Sequence, residues 1–160
     1  MLHARYDTRL GCDVMTMTYI EIGEWSLMQT AAQAVRTAVF VQEQGIAPED
    51  EWDADDATAL HAVLLDGNGQ PLGNARLLQP CANTAKVGRM AVLREMRGKG
   101  YGARLLQALL LEARRRGNQE VRLNAQRTAE RFYAAHGFAV VGTPFDEVGI
   151  PHVEMRLSLV

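Results

Sequence analysis

From Thr18 onward the chain alternates apolar runs of strand length with stretches of helical periodicity. Residues 18–22 read as a first strand. Leu27, Ala31, Ala34, Val35, Ala38 and Val39 then recur at three- and four-residue intervals, predicting a helix over about 27–42, with Ser26 as its N-cap and Gly45 and Pro48 ending it. Strand-like runs at 60–65 and 72–78 flank Asp66-Gly67-Asn68-Gly69, a strong hairpin turn signal. After a loop at 80–84, residues 85–93 form a further strand. The surest helix covers 103–116, with Leu105, Leu106, Leu109, Leu110 and Ala113 on one face and Arg104, Gln107, Arg114 and Arg115 away from it; Gly117 terminates it. A strand at 120–124, a shorter helix at about 128–135 capped by Gly137, and strands at 138–141 and about 152–159 complete the chain. A hairpin half followed by β-α-β-α-β predicts an α/β (α+β) fold, a mixed sheet with helices on both faces.

Composition narrows the picture only slightly. At 160 residues, 48% apolar and 22% charged, the chain has the size and make-up of one soluble globular domain. Residues 17–160 are expected to form it, behind a polar, patternless and disordered tail at 1–16. The net charge of −2 argues against a general nucleic-acid binder. Charge is nonetheless polarised: seven acidic and no basic residues lie between Glu43 and Asp56, whereas eight basic and two acidic residues lie between Arg89 and Arg116. That pattern is either two solvated faces or a basic end for a phosphorylated cofactor and an acidic end for a cationic substrate. Cys12 and Cys81 have neither metal-ligand nor redox spacing, and no run approaches a membrane span, so a reduced, cytoplasmic protein with no metal and no membrane partner is expected.

The chemistry concentrates at Arg97-Gly98-Lys99-Gly100-Tyr101-Gly102, between an apolar strand and the best-defined helix. Glycines there permit positive φ and close backbone approach, and the unpaired N–H groups of a helix start make an anion site. The spacing is neither that of a P-loop nor of a dinucleotide-binding turn. It resembles R/Q-x-x-G-x-G/A, the pyrophosphate loop of the GNAT acetyltransferases, which hold acetyl-coenzyme A. Val87-Gly88-Arg89-Met90-Ala91-Val92 ahead of the loop and Phe132-Tyr133-Ala134-Ala135-His136-Gly137-Phe138 after it are similar to further family motifs. The resemblance spans nearly the whole chain and implies the GNAT fold, with a splayed pair of central strands. It also implies acetyl-CoA contacts for Met90, Ala91, Val92, Arg97, Gly98, Lys99, Gly100, Tyr101, Gly102, Ala103, Asn124 and Tyr133. By the same resemblance the Met90 N–H polarises the thioester carbonyl, Val92 holds the pantetheine amide, and Tyr133 protonates the departing thiolate. The plainer reading of Tyr133 is a core aromatic.

No carboxylate stands where many family members carry a general base; that region offers Lys86. Glu43, His61, His152 and Glu154 are the candidates, with Glu43 and His152 taken as catalytic. Gly149-Ile150-Pro151-His152-Val153-Glu154-Met155, Phe40-Val41-Gln42-Glu43-Gln44 and the Asp53, Asp56 and His61 spacing resemble the ElaA-like branch and imply an acceptor pocket. A structural histidine is the blander alternative for His61 and His152. Arg36, Phe40, Trp52, Asp53, Asp56 and Ala75-Arg76-Leu77-Leu78 are also similar to acyl-homoserine-lactone synthases; otherwise Arg36 and Arg76 are salt-bridge partners of the acidic loop. The expected activity is acetyl transfer from acetyl-CoA to a primary amine of a small molecule or peptide, in a ternary complex. A non-catalytic acetyl-CoA sensor is the rival, and an edge strand such as the last offers a surface for a homodimer.

Overall fold

Alternating apolar positions and the Asp66 turn fold the first half of the chain into an antiparallel meander. The computed structural model describes residues 17–160 and, before them, the backbone of 4–7. Strand β2 (Thr18–Glu24) pairs with β3 (Leu60–Asp66), β3 with β4 (Pro71–Cys81), and β4 with β5 (Thr84–Val92), all antiparallel. The Asp66 carboxylate closes the β3–β4 hairpin by accepting from the N–H groups of Asn68 and Gln70 at 2.8 and 2.9 Å. β5 then pairs in parallel with β6 (Glu120–Gln126), across the crossover helix α3 (Tyr101–Arg115). With β1 (Ala4–Asp7), β7 (Ala139–Glu147) and β8 (Ile150–Ser158), the eight-stranded order is β1-β2-β3-β4-β5-β6-β8-β7.

Two details of the sheet differ from the sequence expectation. The last strand is not an edge, because β8 lies between β6 and β7; the exposed edge on that side is β7. Within the segment expected to be a tail, 4–7 run antiparallel to β2, and the remainder of 1–16 lies outside the described residues.

Helices cover both faces. Leu105, Leu106, Leu109 and Ala113 of α3 are fully buried against Ile20, Leu64, Leu77, Val87 and Leu123. Each such leucine contributes about 1.5–3 kcal/mol of transfer free energy. On the other face α1 (Trp25–Arg36) buries Met28, Ala32 and Val35, with Met28 and Ala32 packed on Val63 and Leu65. At its start this face is one residue out of step with the stripe read from Leu27, which is 55% exposed, whereas Val35 and Val39 are buried as that stripe expects. Ser26 is not the N-cap: its hydroxyl donates to Glu24 Oε1 at 3.0 Å, and the helix starts at Trp25 with Glu24 at the cap position. Residues Thr37–Glu43 then continue as a π-helix, a widened turn that shifts the facing of Phe40 and of the residues after it.

The acidic stretch is not an open loop. It forms the short helix α2 (Pro48–Glu51) and a 3₁₀ turn at Ala54–Ala57, and arginines neutralise most of it. Arg36, with no exposed surface, donates from Nε to Glu51 at 2.7 Å and from Nη1 to Asp56 at 2.8 Å. Its guanidinium lies 4.7 Å from the Trp52 ring centroid and 5.7 Å from that of Trp25. Arg76 binds Asp53 through both terminal nitrogens, at 2.6 and 2.8 Å, and also reaches Asp56. Removing one member of so buried a set strands its partners' charge. Arg36→Met should therefore lower stability by about 3–5 kcal/mol in urea unfolding; a loss below about 1 kcal/mol would place the network in effective contact with water.

Candidate active site

The site originates in one extra residue on β5. Asn74 of β4 pairs with Ala91 but Arg76 pairs with Gly88, so Arg89 and Met90 together face the single residue Ala75. Arg89 takes a left-handed conformation (φ 51°), and its carbonyl accepts from Asn74 Nδ2 at 3.1 Å. On the other side, the parallel ladder to β6 ends at Val87 and Leu123. Beyond that point the two strands part, and Met90 has no register partner on either neighbour. A cavity of about 400 Å³ lies at the parting.

Met90, Asn124, Tyr133 and His152 are brought together in its lining, with Lys86 and Arg89. Tyr133, on α4 (Glu130–Ala135), is buried beside Phe132 and Phe138, and burial pushes its phenol up to about 12. It therefore stays protonated at any physiological pH. His152 is also buried; its Nδ1 lies 2.7 Å from the Ile150 carbonyl oxygen. A carbonyl only accepts, so Nδ1 carries a proton, and in the neutral ring the lone pair is on Nε2. Glu147 Oε2 stands 3.4 Å from that nitrogen, and the Phe145 ring stacks on the imidazole with centroids 6.0 Å apart. In the neutral tautomer Nε2 is an acceptor that faces the cavity lining, with a carboxylate beside it.

The other base candidates lie elsewhere. His61 is fully buried against Trp25, with Nε2 2.9 Å from the Asp56 carbonyl, and burial holds its pKa down. Glu154 accepts from Arg156 at 2.7 Å. Glu43 is outside the cavity. Its two carboxylate oxygens accept from Arg97 at 2.7 and 2.8 Å, which holds its carboxyl below the usual range. Arg97 is thereby fully engaged, since its Nε donates to the Val92 carbonyl at 3.0 Å. Its charge is matched by Glu43, and Val92 offers an already bonded carbonyl.

The glycine loop lies past the end of β5. Gly98 and Gly100 have φ of 78° and 80°, and neither has a heavy atom within 4 Å of where a Cβ would sit, so the backbone there is open to approach. Gly100 caps α3 without any side-chain cap, leaving the first-turn N–H groups of Tyr101, Gly102 and Ala103 facing outward. Lys99 and the largely exposed Arg94 are the loop's remaining cations.

Three cavity features had weak sequence signals. Glu147 meets His152 only through the β7–β8 hairpin, whose turn at Val148 (φ 49°) and Gly149 lacks the usual Asn-Gly. Gln44 and Gln126 join the π-helical segment to β6 through reciprocal amide hydrogen bonds, at 2.9 and 3.4 Å. The bulge places its positive φ on Arg89 rather than on the adjacent Gly88, which no local pattern announces.

A mixed sheet whose parallel pair splays beside a glycine loop at a helix start is the framework of an N-acyltransferase. Comparison with known proteins agrees. The family described as Acetyltransferase (GNAT) domain matches residues 28–159. YjcF of Bacillus subtilis, described as an uncharacterized N-acetyltransferase, is 36% identical over 122 residues, covering 76% of this chain and 86% of its own. A candidate N-acetyltransferase from Lactobacillus plantarum superposes with a TM-score of 0.83 at 33% identity, over 89% of this chain and 99% of that one. Escherichia coli ElaA superposes with a TM-score of 0.78 at 28% identity, over 88% and 99%. The chain belongs to the GNAT acetyltransferase family, among its ElaA-like members, and is an enzyme of the N-acetyltransferase class.

Acid should disarm the Asp53 and Asp56 carboxylates. Burial opposes ionisation of Asp53 and Asp56, but hydrogen bonds from Arg76 and Arg36 outweigh it and hold both carboxyls below their ordinary range. A depressed folded-state pKa contributes stability that is complete above the unfolded value of about 3.9 and is lost as pH falls below it. Melting temperature should be flat from about pH 6 to about pH 5 and fall steeply below about pH 4, and Asp56→Asn should reduce that slope. An unchanged slope in the variant would remove Asp56 from the account.

Proposed function

We propose that the protein transfers an acetyl group from acetyl-CoA to a primary amine by direct attack within a ternary complex. The observation that carries this reading is the convergence of an unpaired strand position at Met90, the Tyr133 phenol and the Nε2 lone pair of His152 on one cavity. The glycine loop and the uncapped α3 terminus suit a pyrophosphate. The free edge of β5 suits an amide-bearing arm, and Asn124 adds a polar side chain on β6. Acetyl-CoA supplies an activated acyl group, and the protein's own work is positioning and charge management. The Met90 N–H is aimed at negative charge that grows on the carbonyl oxygen. His152 accepts the amine proton at Nε2, and Glu147 stabilises the imidazolium. The Tyr133 hydroxyl donates a hydrogen bond to the departing sulfur.

Four variants test this. Gly100→Val places a β-branched residue at φ 80° on the face open to phosphate, and calorimetry should show coenzyme binding lost in a folded protein. His152→Gln should lower kcat by about 10²-fold or more with coenzyme affinity within a few-fold, whereas Glu43→Gln should leave kcat within a few-fold. Tyr133→Phe should also lower kcat by about 10²-fold. Because the phenol is pushed up to about 12, that loss should be constant from about pH 6 to about pH 10. Normal kcat with a lowered melting temperature would return Tyr133 to the role of a core aromatic. Tight coenzyme binding with no thiol release for any amine would replace the transfer reading with a non-catalytic binding module.

A further inference from the structure

Two arginines and one lysine line the cavity, and only the lysine lacks a counter-ion. Arg76 is matched by Asp53 and Asp56, and Arg89 by Asp53 and Glu51. Lys86 is half-buried on β5, opposite Leu78 of β4 and Arg122 of β6, and Arg122 is itself held by Glu120. Among the described residues the Lys86 ammonium makes no hydrogen bond or ion pair. An ammonium that lines a cavity without a partner is stabilised when an anion enters beside it.

We propose that Lys86 binds an anionic group of the acceptor, a carboxylate or a phosphate, while the acceptor's amine lies several bonds away near His152. The proposal rests on the transfer reading above. Register sets the spacing. Lys86 pairs with Arg122, whereas His152 pairs with Gln126, four residues farther along β6 and on its opposite side. At about 3.3 Å per residue and about 4.8 Å per strand, the two backbone positions are roughly 16 Å apart. Both residues line the same cavity. Strand side chains stand roughly perpendicular to the sheet, so the separation of their ends stays close to that of the backbone positions. An α-amino acid, with one carbon between amine and carboxylate, is too short for that gap; a longer chain with an amine at one end and an anion at the other is not. The acidic stretch does not oppose this, because Glu51 and Asp53 are neutralised by arginine and, of the stretch's residues that line the cavity, only the exposed Asp55 lacks a cation among the described residues.

The test is thiol release from acetyl-CoA with 6-aminohexanoate, 6-aminohexyl phosphate, 6-aminohexanamide and glycine as acceptors. At least one of the two anionic ω-amines should exceed the amide in kcat/KM by about tenfold or more, the scale of a charge-assisted hydrogen bond, and the better of the two identifies the anion. Lys86→Met should bring that ratio to about one by raising the acceptor KM, and Lys86→Arg should restore most of it. Equal kcat/KM for acid, phosphate and amide would overturn the anion site while leaving acetyl transfer intact; glycine matching 6-aminohexanoate would overturn the spacing. If no amine releases thiol, the transfer reading falls, and calorimetry with 6-aminohexanoate and its amide on the wild-type protein and Lys86→Met decides the rest. Acid binding that is stronger than amide binding and lost in Lys86→Met supports the anion site; indistinguishable binding overturns it.

Discussion

Arg89 holds a left-handed backbone in the middle of a strand, a conformation that costs a non-glycine residue on the order of 1–3 kcal/mol. It is held from two directions. Asn74 binds its carbonyl, and its guanidinium reaches the Glu51 backbone oxygen at 3.1 Å and the Asp53 carboxylate at 3.1 Å. Glu51 and Asp53 are in turn fixed by Arg36 of α1 and Arg76 of β4. The bulge that separates β5 from β6 and the buried ionic network are therefore one mechanical unit. It runs from the inner face of α1, through the acidic segment, to the strand that borders the cavity. The charges there secure a backbone deformation before they do anything for a ligand.

Much of the fold was legible because the signals are local. The leucine stripe of α3 and the Asp66 turn each specify an element without reference to the rest of the chain, and both are found where the pattern placed them. The errors share a different origin. Leu27 and Met28 are both apolar neighbours at a helix start, and which of them faces inward depends on where Val63 and Leu65 lie across the sheet. The π-helical turn after Arg36 widens the spacing further, so a 3.6-residue rule loses phase there. Likewise, no local pattern says that β8 inserts between β6 and β7; that follows from which antiparallel partner completes the edge of β6.

The candidate site divides along the same line. Met90, Asn124 and Tyr133 came from motifs carried by contiguous residues, and the structure collects them at one cavity. Glu43 came from proximity to a pocket-like motif, but one bidentate contact with Arg97 ties it to the glycine loop. His152 stood with Glu43 as the two taken from four base candidates, on a resemblance that did not separate them. Its distinction is geometric: the Ile150 carbonyl sets its tautomer, and Glu147, five residues earlier, returns to it across a hairpin. A pair made by strand register across an atypical turn leaves almost no trace in sequence spacing.

Proton movements in the proposed transfer follow from these environments. In that proposal the amine proton goes to Nε2 of the neutral His152 ring, beside the Glu147 carboxylate. The departing sulfur is a different case. An alkyl thiol has a pKa of about 8.5, whereas burial pushes the Tyr133 phenol up to about 12. At about 1.4 kcal/mol per unit, full proton transfer from phenol to thiolate is uphill by roughly 5 kcal/mol. A hydrogen bond carries no such penalty, and it is strongest while negative charge gathers on sulfur in a site that excludes water. Tyr133 then acts by holding its proton in place rather than by giving it up, and the proton that finally neutralises the thiolate comes from the imidazolium or from solvent after the acetyl group has moved. The same burial that makes Tyr133 a poor acid also keeps it a donor at every pH where the amine can attack.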